Sequence, residues 1–113
     1  MLRKIECYIQ PTKLDQVKEG LIDAGIEGMS VTEVNGFGKQ RGFINGEVPN
    51  KKVKLLPKIK LEIVVGEDEV DTITTAIIKL AGTGHIGSGK IFVLPVEDAI
   101  RIRTSESGIS AIT

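Results

Sequence analysis

The residues best suited to bind a charged ligand form a glycine-rich segment that ends in a lysine, Gly84-His85-Ile86-Gly87-Ser88-Gly89-Lys90. Glycines let backbone N–H groups converge on an anion, and the lysine adds positive charge. The segment has the Gly-x-x-x-x-Gly-Lys spacing of a Walker A loop. However, residue 91 is Ile, which offers no hydroxyl for Mg²⁺, and the segment leads into a predicted strand rather than a helix. A GTPase-like mechanism is therefore disfavoured, whereas a phosphate site and a plain helix–strand connector both stay open.

Two arginines, Arg101 and Arg103, form a second candidate anion site. They lie two residues apart in a short predicted strand and would share one face of it. Two adjacent guanidinium groups repel each other unless an anion lies between them. A solvated edge strand with alternating charge is the alternative. Together with Lys90 and the glycine-rich segment, the arginines favour a phosphate site.

A third element is the basic, glycine-rich stretch Gly36-Phe37-Gly38-Lys39-Gln40-Arg41-Gly42, and Lys58 opens the strand that follows. No convincing catalytic site accompanies these elements. His85 is the only histidine, and Glu62 could bond a ribose hydroxyl but has no obvious acid–base partner. The serines have no adjacent base. We therefore predict a ligand-binding protein rather than an enzyme.

The composition bounds the class of protein. The 113 residues suffice for one domain, and 41% of them are apolar, which is typical of a globular chain. The 15 basic and 15 acidic residues balance, which argues against nucleic-acid or anionic-membrane binding. The single Cys7 excludes an internal disulfide. The N-terminus is too polar for a signal peptide and no apolar run could span a membrane, so we expect a cytoplasmic protein without membrane insertion.

Hydrophobic periodicity predicts the elements that must position these residues. Residues 3–10 alternate as a half-buried strand, and residues 13–24 form a helix that begins with a capping box from Thr12 to Asp15 and ends before Gly25. The further predicted elements are strands over 29–35 and 58–66, then a helix that opens with the acidic residues of 67–71 and ends at Gly82. They are followed by a strand over 91–94 stopped by Pro95, an extended piece over 100–103 and a mobile tail from Ser105 to Thr113.

This order is the βαββαβ pattern of an α+β, ferredoxin-like domain. Both helices are expected on one face of a four-stranded antiparallel sheet. The other face needs cover, which an oligomer could supply.

Several motifs, in order and over nearly the whole chain, resemble the PII nitrogen-regulatory signal-transduction family. They are Val31-Thr32-Glu33-Val34 before Gly36-Phe37-Gly38-Lys39-Gln40, Leu56-Pro57-Lys58 before Lys60-x-Glu62, Thr83-Gly84-x-Ile86-Gly87-x-Gly89-Lys90-Ile91-Phe92-Val93, and Ile100-Arg101-Ile102-Arg103-Thr104. The resemblance implies a homotrimer that binds ATP or ADP in clefts between subunits. It further implies a single domain, 1–113, with a T-loop over about 37–57, a phosphate loop over 82–90 and a C-terminal loop over 103–113.

The resemblance also assigns binding residues. Those implied for the nucleotide are Gly28, Met29, Ser30, Glu62 and Val64 around adenine and ribose, Gly87, Ser88, Gly89, Lys90, Arg101 and Arg103 near the phosphates, and Gly36, Gly38, Lys39 and Gln40 at the base of the T-loop. Gln40 would also help hold Mg²⁺ with ATP. The implied effector residues are Gln40, Arg41, Gly42, Lys58, Ile86 and Gly87, with 2-oxoglutarate as the family effector. The T-loop would engage a target, such as an ammonium transporter or a metabolic enzyme.

The sequence departs from the family pattern at several positions. The T-loop tyrosine that is usually modified is missing, since the only tyrosine is Tyr8. Gln10 replaces the basic residue that usually reaches the distal carboxylate of 2-oxoglutarate, which should weaken that ligand. Lys39 replaces an arginine and so loses a bidentate fork. Two alternatives stay open at this point: a weak ATP-hydrolysing enzyme that uses the same cleft, and a structural trimer of similar fold.

Overall fold

The computed structural model describes residues 1–37 and 54–113. Its elements in chain order are β1 (Leu2–Ile9), a 3-10 turn (Pro11–Lys13), α1 (Leu14–Asp23), β2 (Ser30–Gly36), β3 (Leu56–Gly66), a second 3-10 turn (Glu67–Glu69), α2 (Val70–Ala81), β4 (Gly89–Val96) and α3 (Ile109–Ile112). The segment predicted as the T-loop lies mostly outside the described residues.

The four strands form one antiparallel sheet in the order β2-β3-β1-β4. In the central register Cys7 is opposite Leu61 on β3 and opposite Ile91 on β4. Together with α1 and α2 this is the predicted βαββαβ arrangement, so the ferredoxin-like α+β fold is confirmed.

One face of the sheet is covered by the two helices. The buried cluster joins the alternating residues Ile5, Cys7, Ile9, Ile59, Leu61, Ile63 and Val65 to Val17 and Leu21 of α1 and Ile73, Ile77 and Ala81 of α2. We call this the covered face. The alternating apolar residues of the strands pack here against the apolar stripes of the two helices, because the sheet and each helix must bury one apolar side.

The opposite side, which we call the open face, carries Lys4, Glu6, Tyr8, Lys60 and Glu62 between those buried positions. These side chains form a connected polar group. The Lys4 Nζ lies 2.9 Å from Glu62 Oε2, and the Tyr8 hydroxyl donates to Glu6 at 2.9 Å. The open face is therefore charged but internally paired.

Several predicted boundaries are wrong. β3 begins at Leu56 rather than at residue 58, and β4 begins at Gly89, so the last two residues of the predicted loop over 82–90 lie in that strand. Thr12 does not cap α1, because it lies inside a 3-10 turn that is closed by a hydrogen bond from Lys13 N to Gln10 O at 2.9 Å. Pro95 does not stop β4, which continues to Val96. β4 is an edge strand, and an edge tolerates a residue without an N–H group.

The C-terminal region also differs from the prediction. Residues 100–103 do not form a strand with two arginines on one face. Instead Ser105 N donates to Arg101 O at 2.8 Å and closes a turn, while Ile100 makes a single bridge to Ser107. The tail, predicted as mobile, folds back, with Gly108 N donating to Ala99 O at 3.0 Å ahead of α3.

Candidate functional site

The glycine-rich loop between α2 and β4 has a defined internal structure. Ser88 Oγ donates to His85 O at 2.9 Å and accepts from Thr83 N at 3.2 Å, and the Thr83 and Ser88 hydroxyls also contact each other. His85 N in turn donates to Thr83 Oγ1 at 3.2 Å. Two hydroxyl side chains thus join the start of the loop, at Thr83, to its end, at Ser88.

Gly89 occupies a position that only glycine fits. Its φ is +120°, and a Cβ atom built there would lie 1.8 Å from the carbonyl oxygen of Tyr8. Because that oxygen belongs to β1, the neighbouring backbone cannot move aside cheaply. Gly84 and Gly87 also have positive φ, at 77° and 94°. The spacing of the loop glycines therefore follows from backbone geometry.

Three chain segments meet at the carbonyl oxygen of Gly87. Gln10 Nε2 and Lys58 Nζ each donate to that oxygen at 3.2 Å. Lys58 and Gly87 are two of the residues assigned to the effector, and the fold brings them into contact. Gln10 lies beside them, so the residue that replaces a basic group in the family pattern belongs to this cluster. Ile86, also assigned to the effector, is exposed in the same loop.

A separate pocket of about 550 Å³ lies on the open face. Its lining includes all five residues assigned to adenine and ribose, namely Gly28, Met29, Ser30, Glu62 and Val64. Strand register explains this meeting, because Ser30 is opposite Glu62 in the β2–β3 pair and Val64 is opposite Lys4 in the β1–β3 pair. Further lining comes from Lys4, Glu27, Ala111, Ile112 and Thr113.

Lys4 and Glu62 are an ion pair at this pocket. The bond between Lys4 and Glu62 is the main cause that raises the pKa of Lys4 and lowers the pKa of Glu62. Both groups are therefore charged at neutral pH. Sequence reasoning missed Lys4, although its alternation with Glu6 and Tyr8 already placed it on the face opposite the apolar core.

Arg101 contacts the C-terminal segment. Its guanidinium lies 2.9 Å from Glu106 Oε1, donates to Ser110 O at 3.0 Å and also contacts Thr113 O. Arg103 is exposed in the turn that follows. The prediction that these two guanidinium groups share a strand face is wrong, because Glu106 and the tail backbone hold Arg101 in a turn.

Eight of the assigned nucleotide residues line one or the other of two separate cavities within one chain. Ser88, Gly89 and Lys90 line a second cavity, of about 290 Å³, with Tyr8, Ile91 and the end of α2, whereas the adenine and ribose residues line the open-face pocket. Gly36 ends β2. The remaining assigned residues, Gly38, Lys39, Gln40, Arg41 and Gly42, lie outside the described residues.

The described part of the chain contains neither a cluster of metal ligands nor a membrane-spanning helix. In residues 1–37 and 54–113, no three His, Cys, Asp or Glu side chains lie close enough together to hold a metal ion. Over the same ranges, no helix has the length and apolar character to cross a membrane.

The geometry defines a ferredoxin-like domain with an ordered glycine loop and a charged pocket. A family model described as "Nitrogen regulatory protein P-II" matches residues 2–106. The chain is 51% identical over 112 residues to "Nitrogen regulatory protein P-II" of Bradyrhizobium diazoefficiens, covering 98% of this chain and 100% of that one. It is also 51% identical over 112 residues to "Nitrogen regulatory protein P-II 1" of Escherichia coli K12, with the same coverage.

A solved structure agrees with these matches. The crystal structure of Arabidopsis thaliana PII bound to citrate has a TM-score of 0.82 and 40% identity, covering 99% of this chain and 90% of that chain. The chain therefore belongs to the nitrogen regulatory protein P-II family of signal-transduction regulators, and the resemblance inferred from its motifs is confirmed.

Proposed function

We propose that this chain is a nucleotide-dependent regulator that binds ATP or ADP between the subunits of a homotrimer and controls a target protein through its T-loop. The observation that carries the proposal is the open-face pocket. The five residues assigned to adenine and ribose converge there in the fold of a single chain. The shape of the pocket did not enter that assignment, so their convergence supports it independently.

The division of the assigned residues supports a site shared between chains. The open-face pocket has no lining residue from the glycine loop, and the cavity beside the loop has none from Gly28, Met29, Ser30, Glu62 or Val64. If the pocket of one chain faces the loop of a second copy, the adenine and phosphate ends of one nucleotide meet both groups. Phosphate would then contact the backbone of Gly87 to Gly89 and the ammonium group of Lys90.

Exposed apolar side chains on β4 and after it support the trimer. Phe92, Val93, Leu94, Ile100 and Ile102 are all large and exposed, with Ile102 fully exposed. Exposed large apolar side chains concentrated in one part of a chain are typical of an interface between chains. A second copy packed on this edge would also cover the unpaired side of β4.

The cluster of Gln10, Lys58 and Gly87 is the proposed effector site, together with Ile86 and, from the T-loop base, Gln40, Arg41 and Gly42. Gln40 would also hold Mg²⁺ with the ATP phosphates. Lys58 supplies one positive charge for a carboxylate, whereas Gln10 supplies only an amide. A dicarboxylate such as 2-oxoglutarate therefore meets one positive charge fewer than the family pattern offers, and its binding should be weakened.

Calorimetry on the full chain tests the nucleotide site. ATP and ADP should bind with a stoichiometry of one per chain, and Lys90→Ala should weaken both about tenfold or more, because a charge-assisted phosphate contact is lost. Lys79→Ala is the matched control, since Lys79 is an exposed lysine on α2 that lines neither cavity. Sedimentation should give a trimer. Absence of nucleotide binding, or an equal effect of both substitutions, would contradict the proposal.

The effector site is tested by adding 2-oxoglutarate in the presence of Mg-ATP. Gln10→Lys should raise the affinity for 2-oxoglutarate by about fivefold or more, because it adds the missing charge beside Lys58. Gln16→Lys, which places the same charge on α1, should leave that affinity unchanged. An unchanged affinity in Gln10→Lys would remove Gln10 from the effector site without affecting the nucleotide site.

A further inference from the structure

The pocket on the open face contains the Glu62 carboxylate, and Lys4 binds one of its two oxygens. Glu62 Oε2 accepts a hydrogen bond from Lys4 Nζ at 2.9 Å, and both side chains line the pocket. The other carboxylate oxygen, Oε1, lies 3.9 Å from Lys60 Nζ, beyond hydrogen-bonding distance. The Lys4 bond therefore fixes the carboxylate and leaves Oε1 able to accept from a ligand.

Lys4 is itself held in place. Its ammonium group lies 3.5 Å from Glu6 Oε2, and the other oxygen of Glu6 accepts from the Tyr8 hydroxyl at 2.9 Å. Tyr8 in turn packs edge-on against Phe92, with the ring centroids 6.1 Å apart. A chain of contacts thus runs from an aromatic pair to the pocket carboxylate, and it limits the rotamers that Lys4 and Glu62 can adopt.

We infer that Lys4 is a positioning residue that holds the Glu62 carboxylate for a sugar hydroxyl, so that this pocket selects ATP and ADP over analogues that lack the bonded hydroxyl. The inference rests on the proposed nucleotide function and adds a determinant of sugar specificity. A carboxylate oxygen that accepts from a ligand hydroxyl discriminates against a ligand that lacks it, because Oε1 then loses that hydrogen bond while Oε2 keeps the bond from Lys4. Without Lys4 the carboxylate can rotate, and the discrimination falls.

The experiment compares ATP with 2′-deoxy-ATP and 3′-deoxy-ATP on the full chain by calorimetry. The wild-type protein should bind ATP about tenfold or more tightly than the analogue that lacks the bonded hydroxyl. Lys4→Gln should weaken ATP by about that factor and leave the analogue nearly unchanged, so that the ratio approaches one. Lys4→Arg should restore most of the ratio, because it retains a cationic donor. Lys79→Gln is the control and should keep the wild-type ratio.

Several outcomes would overturn the inference. An equal loss of affinity for ATP and for both analogues in Lys4→Gln would indicate a merely structural role. Equal wild-type affinity for all three nucleotides would remove the sugar selectivity itself. If the wild-type protein binds no nucleotide, the proposed function fails and this inference fails with it, whereas ATP binding without sugar selectivity overturns this inference alone.

The pKa of Glu62 in the wild-type protein provides a second test that does not depend on whether a variant folds. The pKa of Glu62, followed by NMR without ligand, should lie below its ordinary value of 4.5 because of the bond from Lys4. In Lys4→Gln it should move upward. A wild-type pKa at or above 4.5 would show that Lys4 does not hold this carboxylate, even if the variant fails to fold.

Discussion

The two faces of the sheet are built from alternate residues of the same strands, yet they have different roles. On the covered face, Ile5, Cys7 and Leu61 have no exposed surface. On the open face, the side chains of Lys4, Glu6, Lys60 and Glu62 are between 17% and 31% exposed. The covered face stabilises the fold by apolar burial, whereas the open face holds half-buried charges that need partners. The proposed nucleotide pocket lies on the open face, where no buried apolar residue has to be replaced by a polar one.

The largest effect is expected from truncation on the covered face. Leu61→Ala should lower the free energy of unfolding by about 3 kcal/mol, because it removes a fully buried side chain and leaves a cavity between β1, β3 and the helices. Urea denaturation of the variant measures this. Ile22→Ala is the matched control, since Ile22 is 54% exposed on α1 and should lose far less. Equal losses at the two positions would contradict the division between the faces.

At Gly89 the backbone conformation, rather than burial on either face of the sheet, requires a glycine. Gly89→Ala should destabilise the protein by about 2 kcal/mol or more, because it adds a direct clash with the Tyr8 carbonyl to the strain of a positive φ. Gly84→Ala separates the two causes, since Gly84 has a φ of +77° but no neighbouring atom within 4 Å. The same denaturation experiment should show the smaller loss for Gly84→Ala. A larger loss there would mean that the clash at Gly89 is relieved.

Sequence reasoning predicted the covered face well because its signal is local. Alternation over 3–10 and 58–66 reports burial directly, and β1 and β3 follow it. The contact between Lys4 and Glu62 could not be predicted in that way, because it depends on the β1–β3 register, which joins residues 58 positions apart. Motif resemblance identified Glu62 but not the residue that holds it.

The C-terminal region shows the opposite failure. Alternation of Ile and Arg over 100–103 favoured a strand locally, but Glu106 and the backbone of the tail supply partners that turn the chain at Arg101. A period of two over only four residues cannot compete with such contacts. Short patterns near a chain end therefore predict less than equally regular patterns within the sheet.

Alkaline pH should act on the covered face through Cys7. Burial raises the pKa of its thiol from 9.0 to about 11. Because the unfolded chain then releases this proton before the folded chain does, stability is lost as pH rises through the window between these values. The loss should reach about 1.4 kcal/mol by about pH 10. Urea denaturation from pH 8 upward, compared with Cys7→Ala, isolates this contribution from other titrating groups. Identical pH dependence in the two proteins would contradict it.

The smallest effect is expected on the open face, where Lys60→Gln removes an ammonium group that lies 3.9 Å from both Glu6 and Glu62. At that distance, and with the side chain 26% exposed, water and salt screen most of the attraction. The midpoint temperature should fall only slightly, and the difference from wild type should shrink further when NaCl is raised from about 0.05 M to about 1 M. Thermal denaturation at both salt concentrations measures this. A loss as large as that of Leu61→Ala, or one that persists in high salt, would mean that the open face contributes to folding by more than screened charge. The two faces could then no longer be separated into one that stabilises the fold and one that binds.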